Sequence, residues 1–155
     1  MKKLSKSVAA TLKIGKAISR HLKPGNIILL SGSLGAGKTV LVKGIARGLG
    51  IKMDQVISPT FVLLRVHKGR HPLHHFDFYR LKTPHDILAL GYEEYFYSEG
   101  ITVIEWPERL KFLLPGEFLK IKLCVEGANS RLLQFVARGP GYKRLLGKIN
   151  ENIRD

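Results

Sequence analysis

The chain has 155 residues, 45% of them hydrophobic, which is enough for one buried core and short for two, so we predict a single domain over residues 1–155. A formal net charge of +14, with no acidic residue before Asp54, favours either polyanionic partners or a merely solubilising surface, and composition alone does not choose between them. The lone Cys124 excludes an internal disulfide, and no apolar run has signal-peptide or bilayer-spanning length, so we expect a soluble cytoplasmic protein with no membrane partner.

The first fifty residues are predicted to form a helix, a buried strand and a second helix. Ser5 is placed to cap a helix whose apolar residues recur at helical spacing up to Leu22. Residues 26–30 are a continuous apolar run of strand length, typical of a central strand covered on both faces. Helical spacing returns over residues 40–49, and Gly50 is a plausible stop. Basic side chains gather beside the apolar stripe of the first helix: Lys6, Lys13, Lys16, Arg20 and Lys23.

The remaining elements are predicted from turn residues and hydrophobic runs. Thr83 caps a short helix with Pro84 in its first position, and Trp106 with Pro107 ends a second buried strand. Cys124 lies in an apolar run, which predicts a buried and inert thiol. The predicted elements are a hairpin over 61–66 and 71–79, helices over 83–90 and from 93, a strand over 101–105, an antiparallel pair over 118–125 and 131–138, and a helix over 142–149.

Residues 32–39 have the pattern of a phosphate-binding loop. Its glycines let the backbone turn sharply near phosphate oxygens, Lys38 can reach the terminal phosphates, and the hydroxyl of Thr39 can bind Mg²⁺. The helix that follows adds its N-terminal amides to the anion site. The residues of this segment predicted to contact ATP are Gly32, Leu34, Gly35, Ala36, Gly37, Lys38, Thr39 and Val40.

This loop, with a strand before it and a helix after it, predicts the fold class. We expect an α/β protein with a single P-loop NTPase-type domain. A central, mostly parallel sheet is flanked by helices, and an antiparallel strand pair lies near the C-terminus.

ATP hydrolysis would need more than this loop: a second ligand for the metal ion and a group that orients the attacking water. Two carboxylates are candidates for these roles. Glu105 ends the predicted strand over 101–105, and Asp77 lies among aromatic and apolar residues where an unpaired carboxylate is costly. The alternative for Asp77 is a salt bridge to Arg80 or another cation, and for Glu105 a purely structural role. We do not predict a metal site at the nearby histidines, since alternation along a strand separates neighbouring side chains.

Five motifs follow one another along the chain, at residues 35–39, 58–61, 75–81, 90–95 and 105–107. In this order they resemble the TsaE family, bacterial ATPases needed for the threonylcarbamoyl-adenosine modification of tRNA. The resemblance extends over about residues 10–114, and the five together are far more specific than a phosphate-binding loop alone. Two positions depart from the family pattern: Ser33 replaces a common acidic residue, and Val40 a frequent threonine.

The resemblance implies ATP and Mg²⁺ as cofactors and the TsaB and TsaD proteins, which modify tRNA, as partners. It implies that Lys38 binds phosphate, that Thr39 and Glu105 hold Mg²⁺, and that Asp77 positions water or couples hydrolysis to the partner. It further implies an ATP cycle that acts on the TsaB-TsaD pair, and it implies that the protein is not itself the transferase. The other implied site residues are Thr11 and Arg131 near the nucleotide, Ser58, Pro59 and Thr60 in a switch loop, and Trp106 as a lid or a packing residue.

Three alternatives stay open at this point. A small-molecule kinase shares the loop, but Arg65, Arg70 and Arg80 do not form a lid-like insertion. A tRNA-binding module clamped by ATP would use the basic face of the first helix, and the same face could instead dock an acidic protein. A GTPase is disfavoured because no Asn-Lys-x-Asp segment occurs. Since no arginine finger is evident, we expect slow hydrolysis by the isolated protein.

Overall fold

A computed structural model describes residues 1–153, so the last two residues of the predicted domain, 154 and 155, lie outside the described residues. One sheet has the strand order β1-β7-β6-β2-β5-β4-β3. The strands are β1 (Lys2–Ser5), β2 (Ile27–Ser31), β3 (Leu64–His67), β4 (Leu73–Asp77), β5 (Ile101–Glu105), β6 (Phe118–Val125) and β7 (Arg131–Arg138). The helices are α1 (Val8–Ser19), α2 (Lys38–Gly48), α3 (Pro84–Leu88), α4 (Glu93–Phe96) and α5 (Pro140–Asn152), with 3₁₀ turns within Met53–Gln55 and Pro107–Leu113.

The sheet is parallel at its centre and antiparallel at its edges. Strand β2 runs parallel to β5 and β6, and β4 runs parallel to β5. The pairs β1 with β7, β6 with β7, and β3 with β4 are antiparallel. Every residue of β2, β4 and β5 is buried, as expected for strands covered on both faces. The predicted α/β fold class is confirmed, including the antiparallel C-terminal pair.

Helices cover the two faces of this sheet unequally. On one face α1, α2 and α5 pack over the central strands and over β6 and β7, forming the larger apolar cluster. On the other face α3, α4 and the turns of Pro107–Leu113 cover β2, β4 and β5. On this face Phe118, at the start of β6, also belongs to the smaller cluster. Among the described residues, the rest of β6 and the strands β7 and β1 contribute no side chain to that cluster.

The N-terminus differs from the prediction, because Ser5 does not cap α1. Ser5 ends β1, which pairs with β7 at the sheet edge, and the cap is Ser7, whose hydroxyl accepts a hydrogen bond from the Ala10 amide at 3.0 Å. Both serines precede the same apolar stripe, so the local pattern suits either as a cap. The pairing of β1 with β7, distant in the sequence, places Ser5 in a strand and leaves Ser7 as the cap.

Two further differences come from tertiary context. Helix α5 begins at Pro140 rather than at residue 142, since proline fits the first helical position. Cys124 is half-buried rather than buried, because it lies on the sheet face that no described helix covers. Within residues 1–153 no helix combines the length and the apolar character that a bilayer crossing requires.

Candidate functional site

A loop of residues 32–37, here called the glycine loop, joins β2 to α2. Gly32 has φ of +148°, and a Cβ there would lie 2.7 Å from the Leu123 carbonyl oxygen. Gly37 has φ of +101° and directly precedes α2. Side chains at these positions would be strained or would clash, so glycine is required for this backbone path. The path leaves the first amides of α2 without intrahelical acceptors, and these are the donors of an anion site.

Lys38 lies at the centre of the site and is 6% exposed. Its Nζ donates to the carbonyl oxygens of Gly32 at 2.6 Å and Ser33 at 2.9 Å, and lies 4.7 Å from the centre of the Trp106 ring. Burial lowers the pKa of Lys38, while the carboxylates of Glu105 and Asp77 act in the opposite direction. The ammonium is thus held inside the glycine loop, opposite two carboxylates.

Asp77 and Glu105 are partners in register at the carboxyl ends of β4 and β5, and each is 2% exposed. Parallel strands bring their ends to one edge of a sheet, so two carboxylates far apart in sequence meet beside the glycine loop. Ligands of open α/β sheets bind at this edge. The geometry joins the two predicted carboxylates into one site with Lys38.

The Asp77 carboxylate is held by hydrogen bonds. Its Oδ2 accepts from Thr60 Oγ1 at 2.7 Å and Ser58 Oγ at 3.2 Å, and its Oδ1 accepts from the Tyr79 amide at 2.9 Å. The alternative of a salt bridge to Arg80 does not appear among the described residues, because the Arg80 guanidinium lies over the Phe61 ring, 5.1 Å from its centre. Asp77 therefore connects the end of β4 to the predicted switch loop.

Glu105 has a partner that the sequence alone did not indicate. Its Oε2 lies 2.7 Å from Nε2 of His75, and both side chains are buried. Two residues apart on β4, His75 and Asp77 point to the same side of the sheet as Glu105. The signal that could have found His75 is this spacing, a polar residue two positions before a strand-ending carboxylate.

The predicted switch loop and lid lie around the same edge of the sheet. Ser58 is exposed, Thr60 is half-buried, and their hydroxyl oxygens are 2.8 Å apart. The carbonyl of the buried Pro59 accepts from the amides of Val62 and Leu63. Trp106 has left-handed backbone angles and packs on Tyr79, with 4.8 Å between the ring centres. Trp106 thus contacts Lys38 directly and lies next to Glu105.

The remaining predicted nucleotide contacts have different surroundings. Thr11 is buried, and its hydroxyl oxygen lies 2.7 Å from Ser5 Oγ. Arg131 reaches the glycine loop, where its Nε donates to the Ala36 carbonyl at 3.0 Å, and it also donates to Gly127 in the β6-β7 turn. Of the other loop positions, Leu34 is exposed, Gly35 is exposed, and Thr39 and Val40 are half-buried.

Two concavities lie away from this site. One of about 950 Å³ is lined by β1, α1 and the end of α5, and one of about 670 Å³ lies beside the start of α5. Neither contains the glycine loop or the two carboxylates. We place the candidate site at the glycine loop, because that is where anion donors, a buried lysine and carboxylates converge.

A metal ion here would depend on few protein ligands. Among the described residues no three His, Cys, Asp or Glu side chains are arranged to hold a metal. Mg²⁺ prefers oxygen ligands and is commonly bound by one or two carboxylates with substrate phosphates and water. The hydroxyl of Thr39 and the carboxylate of Glu105 fit that requirement.

The fold and the site define an α/β domain built on one mixed sheet, with a glycine loop and two buried carboxylates at the carboxyl edge of its parallel strands. The family described as "Threonylcarbamoyl adenosine biosynthesis protein TsaE" matches residues 5–133. The chain belongs to this family, whose role is in threonylcarbamoyl-adenosine biosynthesis on tRNA. The predicted family is thereby confirmed.

Individual relatives agree with this assignment. The chain is 42% identical over 131 residues to the tRNA threonylcarbamoyladenosine biosynthesis protein TsaE of Treponema pallidum, covering 84% of this chain and 96% of the relative. It is 37% identical over 143 residues to that of Bacillus subtilis, covering 92% and 89%. The crystal structure of Bacillus subtilis YdiB matches with a TM-score of 0.86 and 32% identity, covering 99% of this chain and 96% of that one.

Proposed function

We propose that the protein is an ATPase that binds ATP and Mg²⁺ at the glycine loop and acts on the TsaB-TsaD pair during tRNA modification. The observation that carries the proposal is the convergence of Asp77 and Glu105, in register on adjacent parallel strands, beside the buried ammonium of Lys38. A phosphate cradle needs only the loop and the lysine. The paired carboxylates add what hydrolysis requires.

Each group has a role set by its position. The glycine loop amides and Lys38 bind the phosphates, and the lysine exchanges its two loop carbonyl partners for phosphate oxygens. Thr39 and Glu105 hold Mg²⁺, and His75 fixes the direction of the Glu105 carboxylate. When bound, Mg²⁺ neutralises charge on the phosphates. The Trp106 ring packs against the lysine ammonium.

Asp77 is placed to couple the site to the switch loop. Its carboxylate accepts hydrogen bonds from the hydroxyls of Ser58 and Thr60. We propose that this bond network is exchanged when a phosphate and an attacking water occupy the same edge of the sheet. Freed hydroxyls would move the loop, which is how a nucleotide state becomes a surface that a partner protein recognises.

Slow turnover by the isolated protein is part of the proposal. The guanidinium of Arg131 donates hydrogen bonds to carbonyls of the glycine loop and of the β6-β7 turn. Because these donors are already engaged, Arg131 is not free to stabilise charge on the transferred phosphate. TsaB and TsaD would complete the site, and the protein would meet tRNA through this pair. We place this assembly in the cytoplasm. Leu34 and Val40 then line the nucleotide, and Thr11 supports the enclosing N-terminal segment.

ATP hydrolysis by wild type, Lys38→Ala and Glu105→Gln, each alone and with TsaB, TsaD and tRNA, tests the proposal. We expect weak activity alone, stimulation by the partners, and losses of about a hundredfold or more in both variants. Lys143→Ala, exposed on α5, is the matched control and should behave as wild type. Partner-independent phosphate transfer to a small acceptor would contradict the proposal and favour a kinase. Binding of ATP without any hydrolysis would favour the alternative of a tRNA-binding module that ATP only clamps.

A further inference from the structure

One face of the antiparallel half-sheet β1-β7-β6 is open. Leu119, Ile121, Leu123, Leu133 and Phe135 point to the helix-covered face and are buried in its cluster. Their strand neighbours therefore point to the opposite face, over which no described helix packs. By register, the open face carries three rows: Lys2, Gln134 and Lys122; Leu4, Leu132 and Cys124; and Val136 beside Lys120, with Arg138 at the end.

The composition of this open face is unusual for a solvated surface. Four of its nine side chains are cationic and none is acidic. Among the residues that the structure describes, no carboxylate forms an ion pair with Lys2, Lys120, Lys122 or Arg138. Apolar side chains lie between the cations, and two of them are well exposed, Leu4 at 45% and Val136 at 57%.

The spacing of these cations matches an extended polyanion. Residues two apart on a strand are separated by roughly 6.5 Å and neighbouring strands by about 4.8 Å, so all four Cα atoms lie within about 15 Å. The acidic residues lie elsewhere: seven of the twelve fall in residues 77–108, on the other half of the sheet and its helices. The charge is therefore segregated by the fold rather than spread evenly.

We propose that the open face of β1-β7-β6 binds RNA through its phosphate backbone. Charge complementarity argues for a polyanion, and the role of the family in tRNA modification selects RNA among polyanions. A second copy of this chain is disfavoured, since it would bring four cations against four cations. None of the nine side chains is aromatic, and Phe118, which pairs with Arg138 on the same side of the sheet, is buried in the second apolar cluster. The open face therefore offers no stacking platform, and its binding is insensitive to base sequence.

Fluorescence anisotropy with a labelled, unmodified tRNA transcript, titrated across a salt series, tests this assignment. The variant Lys120→Gln/Lys122→Gln/Arg138→Gln removes three cations from the face. We expect its affinity to fall about tenfold or more, and the slope of log affinity against log salt to shrink by about 2. The matched control, Lys13→Gln/Lys16→Gln/Arg20→Gln, removes three exposed cations from α1 and its C-cap and should change the affinity less than about threefold.

Several outcomes overturn the inference. The first is that wild type shows no detectable RNA binding at low salt, and the second is that both triple variants lose RNA affinity equally. The third is that the face triple variant keeps its RNA affinity but loses binding to anionic phospholipid vesicles or to the TsaB-TsaD pair. Should the face triple fail to fold by circular dichroism, Val136→Glu places one carboxylate at an exposed position on the same face. It should weaken RNA binding, and unchanged affinity would overturn the inference as well.

The RNA surface and the proposed ATPase can fail separately. The three substituted cations lie outside the glycine loop and the two carboxylates, so the face triple should hydrolyse ATP like wild type. RNA binding that maps to the face in a protein without ATP turnover sustains the inference and rejects the ATPase. ATP turnover with no RNA binding at the face does the reverse.

Discussion

The Nε2 atom of His75 lies 2.7 Å from Oε2 of Glu105, and neither side chain has more than a trace of solvent exposure. A buried carboxylate keeps one direction only when a neighbour fixes it, and groups that orient metal ligands affect binding strongly although they never touch the metal. His75 is therefore a positioning residue for the proposed Mg²⁺ site rather than a ligand.

Replacing His75 by Ala should change the magnesium dependence of ATP hydrolysis. Glu105 loses its partner and its fixed direction, so the Mg²⁺ concentration for half-maximal activity should rise about 10- to 100-fold. His75→Gln, whose amide can donate to Glu105, should recover part of the loss. The measurement is a magnesium titration of ATPase activity in the presence of the partners.

His74→Ala is the control for that experiment. His74 is buried on the opposite side of β4, where its ring contacts Tyr95 and not Glu105. It should lower stability without moving the magnesium titration. A similar shift in both variants would mean that His75 acts through packing alone.

The switch loop should loosen when its bond to Asp77 is removed. Thr60→Val deletes the 2.7 Å donor to the carboxylate, and a hydrogen bond to a charged group stabilises by about 1.5–3 kcal/mol. Amide hydrogen exchange over residues 58–64 should therefore accelerate at least about tenfold. Thr83→Val, which removes the cap of α3, should accelerate exchange in α3 and leave the switch loop unchanged. Unaltered exchange over 58–64 in Thr60→Val would show that the loop does not depend on Asp77.

Arg131 should matter for nucleotide affinity although it is distant in sequence from the glycine loop. Arg131→Gln removes charged donors to the Ala36 carbonyl and to the β6-β7 turn, which should free the loop and raise the dissociation constant for ATP about tenfold. Arg144→Gln, exposed on α5, loses the same charge and should bind as wild type does. Equal weakening in the two variants, measured by calorimetry, would reduce the effect to net charge.

Helices α1 and α2 cross at glycines and should not tolerate a methyl group there. A Cβ on Gly44 would lie 2.5 Å from the Leu12 carbonyl oxygen and 3.0 Å from the Gly15 Cα, so Gly44→Ala should lower the free energy of unfolding by about 1–3 kcal/mol. Gly147→Ala in α5 meets nothing within 4 Å and should stabilise by up to about 1 kcal/mol. Urea denaturation of both variants gives the comparison. A stable Gly44→Ala protein would mean that the two helices can separate at little cost.

Local sequence was sufficient for most elements of the fold. Strand β2, the glycine loop and α2 follow from an apolar run, fixed glycines and helical spacing, and β6 and β7 have the predicted bounds. These features are local because backbone angles and hydrophobic periodicity depend on neighbouring residues. Glu105 was also predicted from its position at a strand end, and Asp77 from its aromatic and apolar neighbours.

Tertiary pairing decided the rest. Ser5 and Ser7 both fit a cap locally, and only the pairing of β1 with β7 placed Ser5 in a strand. The contact between His75 and Glu105 depends on the register of β4 against β5, which alternation along one strand cannot supply.

The sequence by itself determined the family, the glycine loop and the excess of positive charge, because each depends on residue type and on spacing along the chain. Only the tertiary structure decided that Arg131 braces the loop and that Asp77 binds the switch hydroxyls. It also decided that the cations of β1, β7 and β6 share one open face. The physical reason is that strand order and helix coverage are set by burial of the whole core, to which segments distant in the chain contribute together.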